Sequence, residues 1–200
     1  MSHRAPSPAL LPSVLDHELF RRLDFRFLLP DPRLGDVAYG GDPDTLLARA
    51  LAQFSESFQL IATAEPRGSD LVVLINPSIA QVRSAVTCLR SDGCLYGEFR
   101  SSSSVIAGGQ TARPAHVAAL LPTLGFSPVS LYWHRPDFES CKEMVPLKSK
   151  EALIYLLTRN YSGAQLTIRH WFASMATRTQ VLERIVSCVS FVARRTEWHG

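Results

Sequence analysis

The sequence has no segment that would cross a membrane, no concentrated basic face and no cysteine pair with the spacing of metal ligands. Its apolar runs fall short of the roughly 20 residues of a membrane helix. Its arginines are scattered, so the net charge of +3 gives no reason to expect nucleic-acid binding. The four cysteines are Cys88, Cys94, Cys141 and Cys188. Their scatter favours reduced thiols, and with an N-terminus that lacks a signal-peptide core it predicts a cytoplasmic protein.

The short motifs of several common catalytic machineries are also missing. There is no GxSxG, no HExxH and no phosphate-binding loop in the 200 residues. The composition itself is ordinary for a globular protein, with 46% hydrophobic and 20% charged residues. A chain of this length can bury one substantial core, so the sequence predicts a folded domain without pointing to a hydrolase or a nucleotidase.

Strand-like and helix-like segments alternate from residue 33 onward. Prolines at positions 6, 8 and 12 make residues 1–32 an irregular N-terminal segment, in which 15–24 could form a short helix. Strands are predicted at 33–41, 58–65, 71–77, 94–99, 127–136 and 186–195, and helices at 44–54, 79–90, 115–126, 150–159 and 169–185. A Ser-Asp-Gly turn at 91–93 separates the second helix from the fourth strand. This alternation predicts an α/β domain over 33–200, with a mainly parallel sheet.

One stretch within this domain resembles a known family. Residues 70–99 read DLVVLINPSIAQVRSAVTCLRSDGCLYGEF. The stretch resembles the fourth-strand, helix, fifth-strand unit of class I S-adenosylmethionine-dependent methyltransferases, in which D-[VL]-[VI] precedes a helix ending in L-[RK]-x-G-G. Residues 70–73 and 89–93 match this pattern, with Asp92 in place of the first glycine.

The resemblance implies a Rossmann-like sheet whose last two strands form an antiparallel pair, with a helical insertion at about 137–183 before the last strand. It also implies S-adenosyl-L-methionine as cofactor and a small molecule as methyl acceptor. A second interpretation stays open, because the spaced glycines of the family are missing and only four residues separate Glu65 from Asp70, too few for a third strand with its helix. The chain would then be a catalytically degenerate module that binds a protein partner.

In a doubly wound sheet, ligands bind outside the carboxyl ends of the strands. That rule selects Gly40, Gly41 and Asp42 after the first strand, Glu65 after the second, Asn76 after the third and Glu98 near the end of the fourth. The resemblance implies that the glycines hold the methionine part of the cofactor and that Glu65 holds its ribose. Simpler roles remain for Gly40 and Gly41 in a strand-to-helix turn.

Other residues near these ends also have simpler structural roles. Asp42 is well placed to cap the next helix, and Asp44 offers a second N-cap. Pro77 would end the third strand, and Ser78 would cap the helix that follows. Asn76-Pro77-Ser78 is similar only in part to the N-P-P-[YF] site of amino-methyltransferases.

The densest cluster of reactive side-chain types is the run Tyr132-Trp133-His134-Arg135. His134 is a candidate catalytic base, because the unperturbed pKa of imidazole lies near neutrality. The alternative is that the cluster packs the sheet against the insertion. A nicotinamide-dependent oxidoreductase fits less well, because it needs the same spaced glycines and the chain offers no Tyr-x-x-x-Lys in its favour.

Overall fold

A computed structural model of the protein describes residues 14–100, 112–159 and 186–196. The described strands are β1 (Asp36–Gly40), β2 (Ser57–Leu60), β3 (Ser69–Ile75), β4 (Leu89–Arg100), β5 (Phe126–Arg135), β6 (Glu143–Pro146) and β7 (Cys188–Arg195). The described helices are α1 (Val14–Arg22), α2 (Leu46–Phe54), α3 (Ile79–Cys88), α4 (Pro114–Leu120) and α5 (Lys150–Thr158). Short 3-10 helices follow α1 at Asp24–Leu28 and α4 at Leu121–Leu124.

The strands form one sheet in the order β2-β1-β3-β4-β7-β5-β6. Strands β1 to β4 run parallel to one another, whereas β7 is antiparallel to both β4 and β5, and β6 is antiparallel to β5. The predicted α/β, Rossmann-like, mainly parallel sheet with an antiparallel last strand is therefore confirmed. Within the described residues β2 forms one edge of the sheet, as expected if the third strand of the family pattern is missing.

Several predicted boundaries were wrong. The second strand ends at Leu60 and not at residue 65, because Ile61–Thr63 turn back toward the start of β3. Helix α2 begins at Leu46 and is capped by the side chain of Thr45, which accepts from the Ala48 backbone N–H, so the caps predicted at Asp42 and Asp44 are corrected. The region expected to be a wholly helical insertion contains strand β6 as well as α5. The helix predicted at 169–185 lies outside the described residues.

The predicted Ser-Asp-Gly turn is a bulge inside β4. Ser69 pairs with Leu89 and Leu71 pairs with Cys94, so a single residue of β3, Asp70, faces residues 90–93 of β4. Arg90 uses the bulge to reach Asp36, at 2.5 Å, and Asp70. Through this bulge, the guanidinium of Arg90 links the amino ends of β1, β3 and β4.

The two faces of the sheet bury separate cores. One core lies under α3, α4 and α5 and contains Val72, Leu95 and Phe191. The other lies under α1 and the segment that follows it, where Leu19, Leu23 and Phe25 pack on Tyr96. Residues 1–32 were expected to be irregular. Their described part, from residue 14 onward, forms α1 and a 3-10 helix and covers one face of the sheet.

Candidate ligand site at the carboxyl edge of the sheet

The sheet brings most of the predicted site residues to one edge. Gly40 ends β1, with Gly41 and Asp42 directly after it. Asn76 follows β3, and His134 lies next to the last residue of β5, which runs parallel to β4. Strands β2 and β3 flank β1 on opposite sides, so the strand order reverses there and the crevice of a doubly wound sheet lies between β1 and β3.

Gly40 and Gly41 lie at the β1 side of this crevice, but protein atoms explain why they are glycines. A Cβ on Gly41 would lie 2.5 Å from the hydroxyl of Tyr39 and 2.9 Å from Cγ1 of Ile75. A Cβ on Gly40 would lie 2.7 Å from Cδ2 of Leu74. Both glycines are therefore required by packing, whether or not a ligand approaches. Gly41 is exposed and Gly40 is buried, so a ligand would contact the backbone at Gly41.

Asp42 is exposed at the mouth of the crevice. Its Oδ1 accepts a hydrogen bond from the backbone N–H of Asp44 at 3.0 Å, and its carbonyl accepts from the hydroxyls of Tyr39 and Thr45. These bonds fix the turn between β1 and α2. They leave a carboxylate at the surface beside Gly41.

Asn76 stands on the β3 side of the crevice in the left-handed region, with φ of 46°. Asparagine adopts this conformation more readily than most residues. Its Oδ1 accepts from the backbone N–H of Arg100 at 2.8 Å, and its own N–H donates to the carbonyl of Glu98 at 2.7 Å. Asn76 therefore ties the end of β3 to the end of β4. Ser78 caps α3 in a reciprocal capping box with Gln81, as predicted.

Glu65 does not reach this edge. Because β2 ends at Leu60, Glu65 follows the turn that leads back to β3, and its carbonyl accepts from Gly68 just before that strand begins. The neighbouring Arg67 donates to the carbonyl of Thr87 near the end of α3. Glu65 thus lies near the amino ends of the strands, and the expected placement at the carboxyl end of β2 was wrong.

His134 is withdrawn from solvent, with 1% of its surface exposed. Its Nε2 lies 2.7 Å from Oγ of Ser190, and its Nδ1 lies 3.6 Å from the sulfur of Cys141. Burial lowers the pKa of His134 to about 4, although the field of Glu98 opposes this shift more strongly than that of Arg22 adds to it. The imidazole is neutral at pH 7, and both of its nitrogens face protein groups.

The sheet also separates His134 from the glycines. Strand β5 is four positions from β1 in the strand order, and at about 4.8 Å per strand this places the two groups roughly 19 Å apart. His134 therefore lies at the same edge as the crevice but not beside it.

The rule on strand ends selected Glu98, but its buried ion pair with Arg22 was not predicted from the sequence. Nη2 of Arg22, at the end of α1, lies 2.5 Å from Oε2 of Glu98 near the end of β4, and the two side chains are 4% and 0% exposed. The hydroxyl of Tyr96 donates to Oε1 of Glu98 at 2.9 Å. Burial and the carboxylate beside it raise the pKa of Tyr96 well above its usual value. The available signal was a lone carboxylate inside the apolar strand LYGEF.

The loop between β5 and β6, residues 136–142, folds over the carboxyl edge near this pair; we call it the Phe138 loop. The ring of Phe138 contacts two guanidinium groups, with its centroid 5.6 Å from Cζ of Arg22 and 5.3 Å from Cζ of Arg100. Its centroid is 4.6 Å from that of the His134 ring. Arg100 also forms an ion pair with Glu139, the next residue of the loop.

The fit of this edge to S-adenosylmethionine is partial. The exposed backbone at Gly41, the carboxylate of Asp42 and the turn at Asn76 surround the crevice from both sides. Within the described residues, the end of β2 offers no carboxylate for ribose hydroxyls, because Ser57–Leu60 contains none and Glu65 lies elsewhere. No cluster of metal-binding side chains occurs among the described residues, and in the same part of the chain no helix has the length and apolarity to span a membrane.

Comparison with known proteins shows the fold. No protein-family model and no curated protein sequence matches the chain. Among solved structures, the chain is similar to an S-adenosylmethionine-dependent methyltransferase from Archaeoglobus fulgidus, with a TM-score of 0.50 and 10% identity over 89% of this chain and 94% of that one.

A second solved structure shows the same architecture. It is phosphoethanolamine N-methyltransferase 2 from Haemonchus contortus in complex with S-adenosyl-L-methionine, with a TM-score of 0.50 and 9% identity. The match covers 90% of this chain but 53% of that protein, so this chain spans about half its length. At these identities the similarity establishes a class I methyltransferase-like fold.

Proposed function

We propose that the protein binds S-adenosylmethionine at the crevice between β1 and β3 and acts as a methyltransferase on a small molecule. One observation carries the proposal. The strand order reverses at β1, and Gly41, Asp42 and Asn76 converge there from two neighbouring strands. The architecture is that of solved methyltransferases, which supports this cofactor over a nicotinamide.

In this proposal the residues of the crevice bind and orient the cofactor. The backbone at Gly41 lies against its methionine part, and the carboxylate of Asp42 and the turn at Asn76 flank it. When bound, the cofactor supplies an electrophilic methyl group on a sulfonium. No carboxylate is assigned to its ribose. The four free thiols, at Cys88, Cys94, Cys141 and Cys188, support a reducing, cytoplasmic location.

His134 is assigned a positioning role in place of the base role considered from sequence. A general base must reach the proton that it removes. The two nitrogens of His134 instead face Ser190 and Cys141 inside the protein. The imidazole thereby links β5, β7 and the Phe138 loop, and it holds that side of the edge in one arrangement.

A second candidate function is a methyltransferase-like module without catalysis that binds a protein partner. The packing around the two glycines favours it. A Cβ on Gly40 or Gly41 would meet Leu74, Tyr39 or Ile75 and not open space, so the glycines have a structural role without a ligand. Glu98, a carboxylate at this edge, is likewise paired with Arg22 inside the protein, so its charge needs no ligand as a partner.

Calorimetric titration with S-adenosylmethionine and S-adenosylhomocysteine separates the two candidates. The proposal expects micromolar binding of both, weakened about tenfold, or 1.4 kcal/mol, in Asp42→Ala. The matched control is Glu65→Gln, which changes an exposed carboxylate near the opposite edge and should leave the affinity unchanged. Absence of heat and of thermal stabilisation at millimolar ligand would instead establish the non-catalytic module. Equal weakening by both variants would place the site elsewhere.

A further inference from the structure

Phe138 occupies a position built for a planar aromatic group. It is 2% exposed, and its ring contacts the guanidinium groups of Arg22 and Arg100 and the imidazole of His134. Guanidinium groups stack on aromatic faces by cation–π attraction, and this attraction strengthens when the groups are withdrawn from water. The surroundings of the ring therefore recognise an aromatic face as well as apolar volume.

A carboxylate lies beside the ring. Glu139 forms an ion pair with Arg100, whose guanidinium also faces the ring of Phe138. The Phe138 loop thus presents an aromatic ring and an adjacent carboxylate to one pair of arginines. These two groups are the recognition elements of an aromatic acid.

We propose that this position is a binding site for a small aromatic carboxylate, and that the Phe138 loop occupies it in the state described here. The charges support this ligand class. Without the loop, the site contains Arg22, Arg100 and Glu98, with a net charge of one positive unit. A ligand with one negative charge restores the neutrality that Glu139 provides now, whereas a protonated amine would raise the net charge of the site to two positive units.

The inference rests on the proposed function, because it assigns the acceptor side of the same edge. Strand β4 is two positions from β1 in the strand order, which corresponds to about 10 Å. Glu98 is paired with Ile75 at the end of β3, so the two sites lie at the same level of the sheet. A ligand at the Phe138 position would therefore lie next to the cofactor crevice.

The end of the loop is anchored at Cys141 and Lys142. Among the described residues, its tip is held to the rest of the protein mainly through Phe138 and Glu139, so a ligand can replace the tip. Phe138 is the one buried residue of 136–142. The ion pair of Arg100 with Glu139 is partly exposed, at 32% and 49%, and such pairs contribute little. Burial of one phenylalanine side chain limits the open population to roughly one part in 10 to 100, and the apparent affinity for a ligand falls by the same factor.

Titration with phenylacetate tests the proposal without any cofactor. Isothermal calorimetry would compare wild type with Phe138→Ala, in which the ring no longer competes. The expected result is saturable binding that is roughly 10 to 100 times tighter in Phe138→Ala. Phenethyl alcohol and cyclohexylacetate, which lack the charge and the aromatic face respectively, should bind more weakly than phenylacetate. Phe27→Ala is the matched control, since Phe27 also faces an arginine, Arg26, but is 66% exposed.

Two further variants keep the test decisive. Arg100→Met in the Phe138→Ala background should abolish the preference for phenylacetate over phenethyl alcohol. If Phe138→Ala does not fold, Glu139→Gln removes the competing carboxylate while keeping the ring, and it should bind phenylacetate more tightly than wild type. In wild type, saturating phenylacetate should accelerate amide hydrogen exchange in residues 136–142.

Several results would overturn the proposal. Equal binding of phenylacetate and phenethyl alcohol to Phe138→Ala would mean simple filling of a cavity. Unchanged hydrogen exchange of the loop in wild type would mean that the loop is permanent structure. Binding of S-adenosylmethionine without phenylacetate binding would overturn this inference alone, and the reverse result would overturn the cofactor proposal alone.

Discussion

The guanidinium of Arg22 and the carboxylate of Glu98 form an ion pair inside the protein, although 76 residues separate them in the chain. Arg22 lies on the helix that covers one face of the sheet, and Glu98 lies on a central strand. The pair therefore couples the docking of the N-terminal helix to the charge balance of the carboxyl edge.

Removal of one partner of this pair should be costly. Arg22→Met leaves the buried Glu98 with the more distant guanidinium of Arg100, at 3.9 Å, as its counter-ion, so the free energy of unfolding should fall by up to about 3–5 kcal/mol. The double variant Arg22→Met/Glu98→Gln should recover much of the loss, because the amide is neutral and still accepts from Tyr96. Urea unfolding measures both changes. Arg33→Met, which removes an exposed pair with Asp31, is the control and should have no measurable effect.

The buried imidazole predicts a specific loss of stability in acid. The pKa of His134 is about 4 in the folded protein, against about 6.5 in an unfolded chain. As the pH falls below 6.5 the unfolded state binds the proton first, so stability present at pH 7 is lost progressively down to pH 4, by roughly 3 kcal/mol in total. In His134→Gln this component should be absent. Unfolding free energies measured at pH 7.5 and pH 4.5 test it, and parallel losses in both proteins would contradict the assignment.

Gly97 should tolerate no side chain. A Cβ there would overlap the ring of Phe191 on the neighbouring strand. Gly97→Ala should therefore lower the free energy of unfolding by about 1–3 kcal/mol through overpacking. Phe191→Leu should rescue part of this loss, which a double-mutant cycle would reveal as a favourable coupling. Gly68→Ala, where the nearest side-chain atom is 3.3 Å away on the exposed Glu65, should cost less.

At position 76, a glycine substitution should destabilise the protein less than an alanine substitution, which is the reverse of the usual order. Asn76→Gly keeps the positive φ and loses the bond to the Arg100 N–H, which costs about 0.5–1.5 kcal/mol. Asn76→Ala loses the same bond and adds left-handed strain of about 1 kcal/mol. Chemical denaturation should therefore rank wild type, Asn76→Gly and Asn76→Ala in descending stability. The reverse ranking would show that the backbone is not held in this conformation.

The alternation of strands and helices along residues 36–135 could be predicted from the sequence, because hydrophobic periodicity reports local structure. Residues 71–75 form an uninterrupted apolar run, and β3 is buried on both faces. Strand β2 was predicted to be too long because Ile61 to Ala64 continue an apolar pattern although the backbone has already turned. Apolar composition indicates burial, and it does not indicate where a strand ends.

The candidate site was only partly predictable for a different reason. Gly41, Asp42 and Asn76 follow strand ends and Glu98 lies near one, so a topological rule selects them. Arg22, Glu98 and Phe138 meet through tertiary contacts between α1, β4 and the Phe138 loop. No local pattern reports which charges will be buried together. Glu65 was misplaced because its assignment depended on the uncertain end of β2.

Strand β7 lies between β4 and β5, although it follows both of them and β6 in the chain. During synthesis, the group β2-β1-β3-β4 and the hairpin of β5 and β6 therefore emerge with facing edges that have no partner. Both edges pair with the same strand, β7 (Cys188–Arg195). Its pairing closes large loops and is slow for entropic reasons. Until that strand arrives the nascent chain exposes two unprotected edges, and this interval is when we expect chaperones to be needed most.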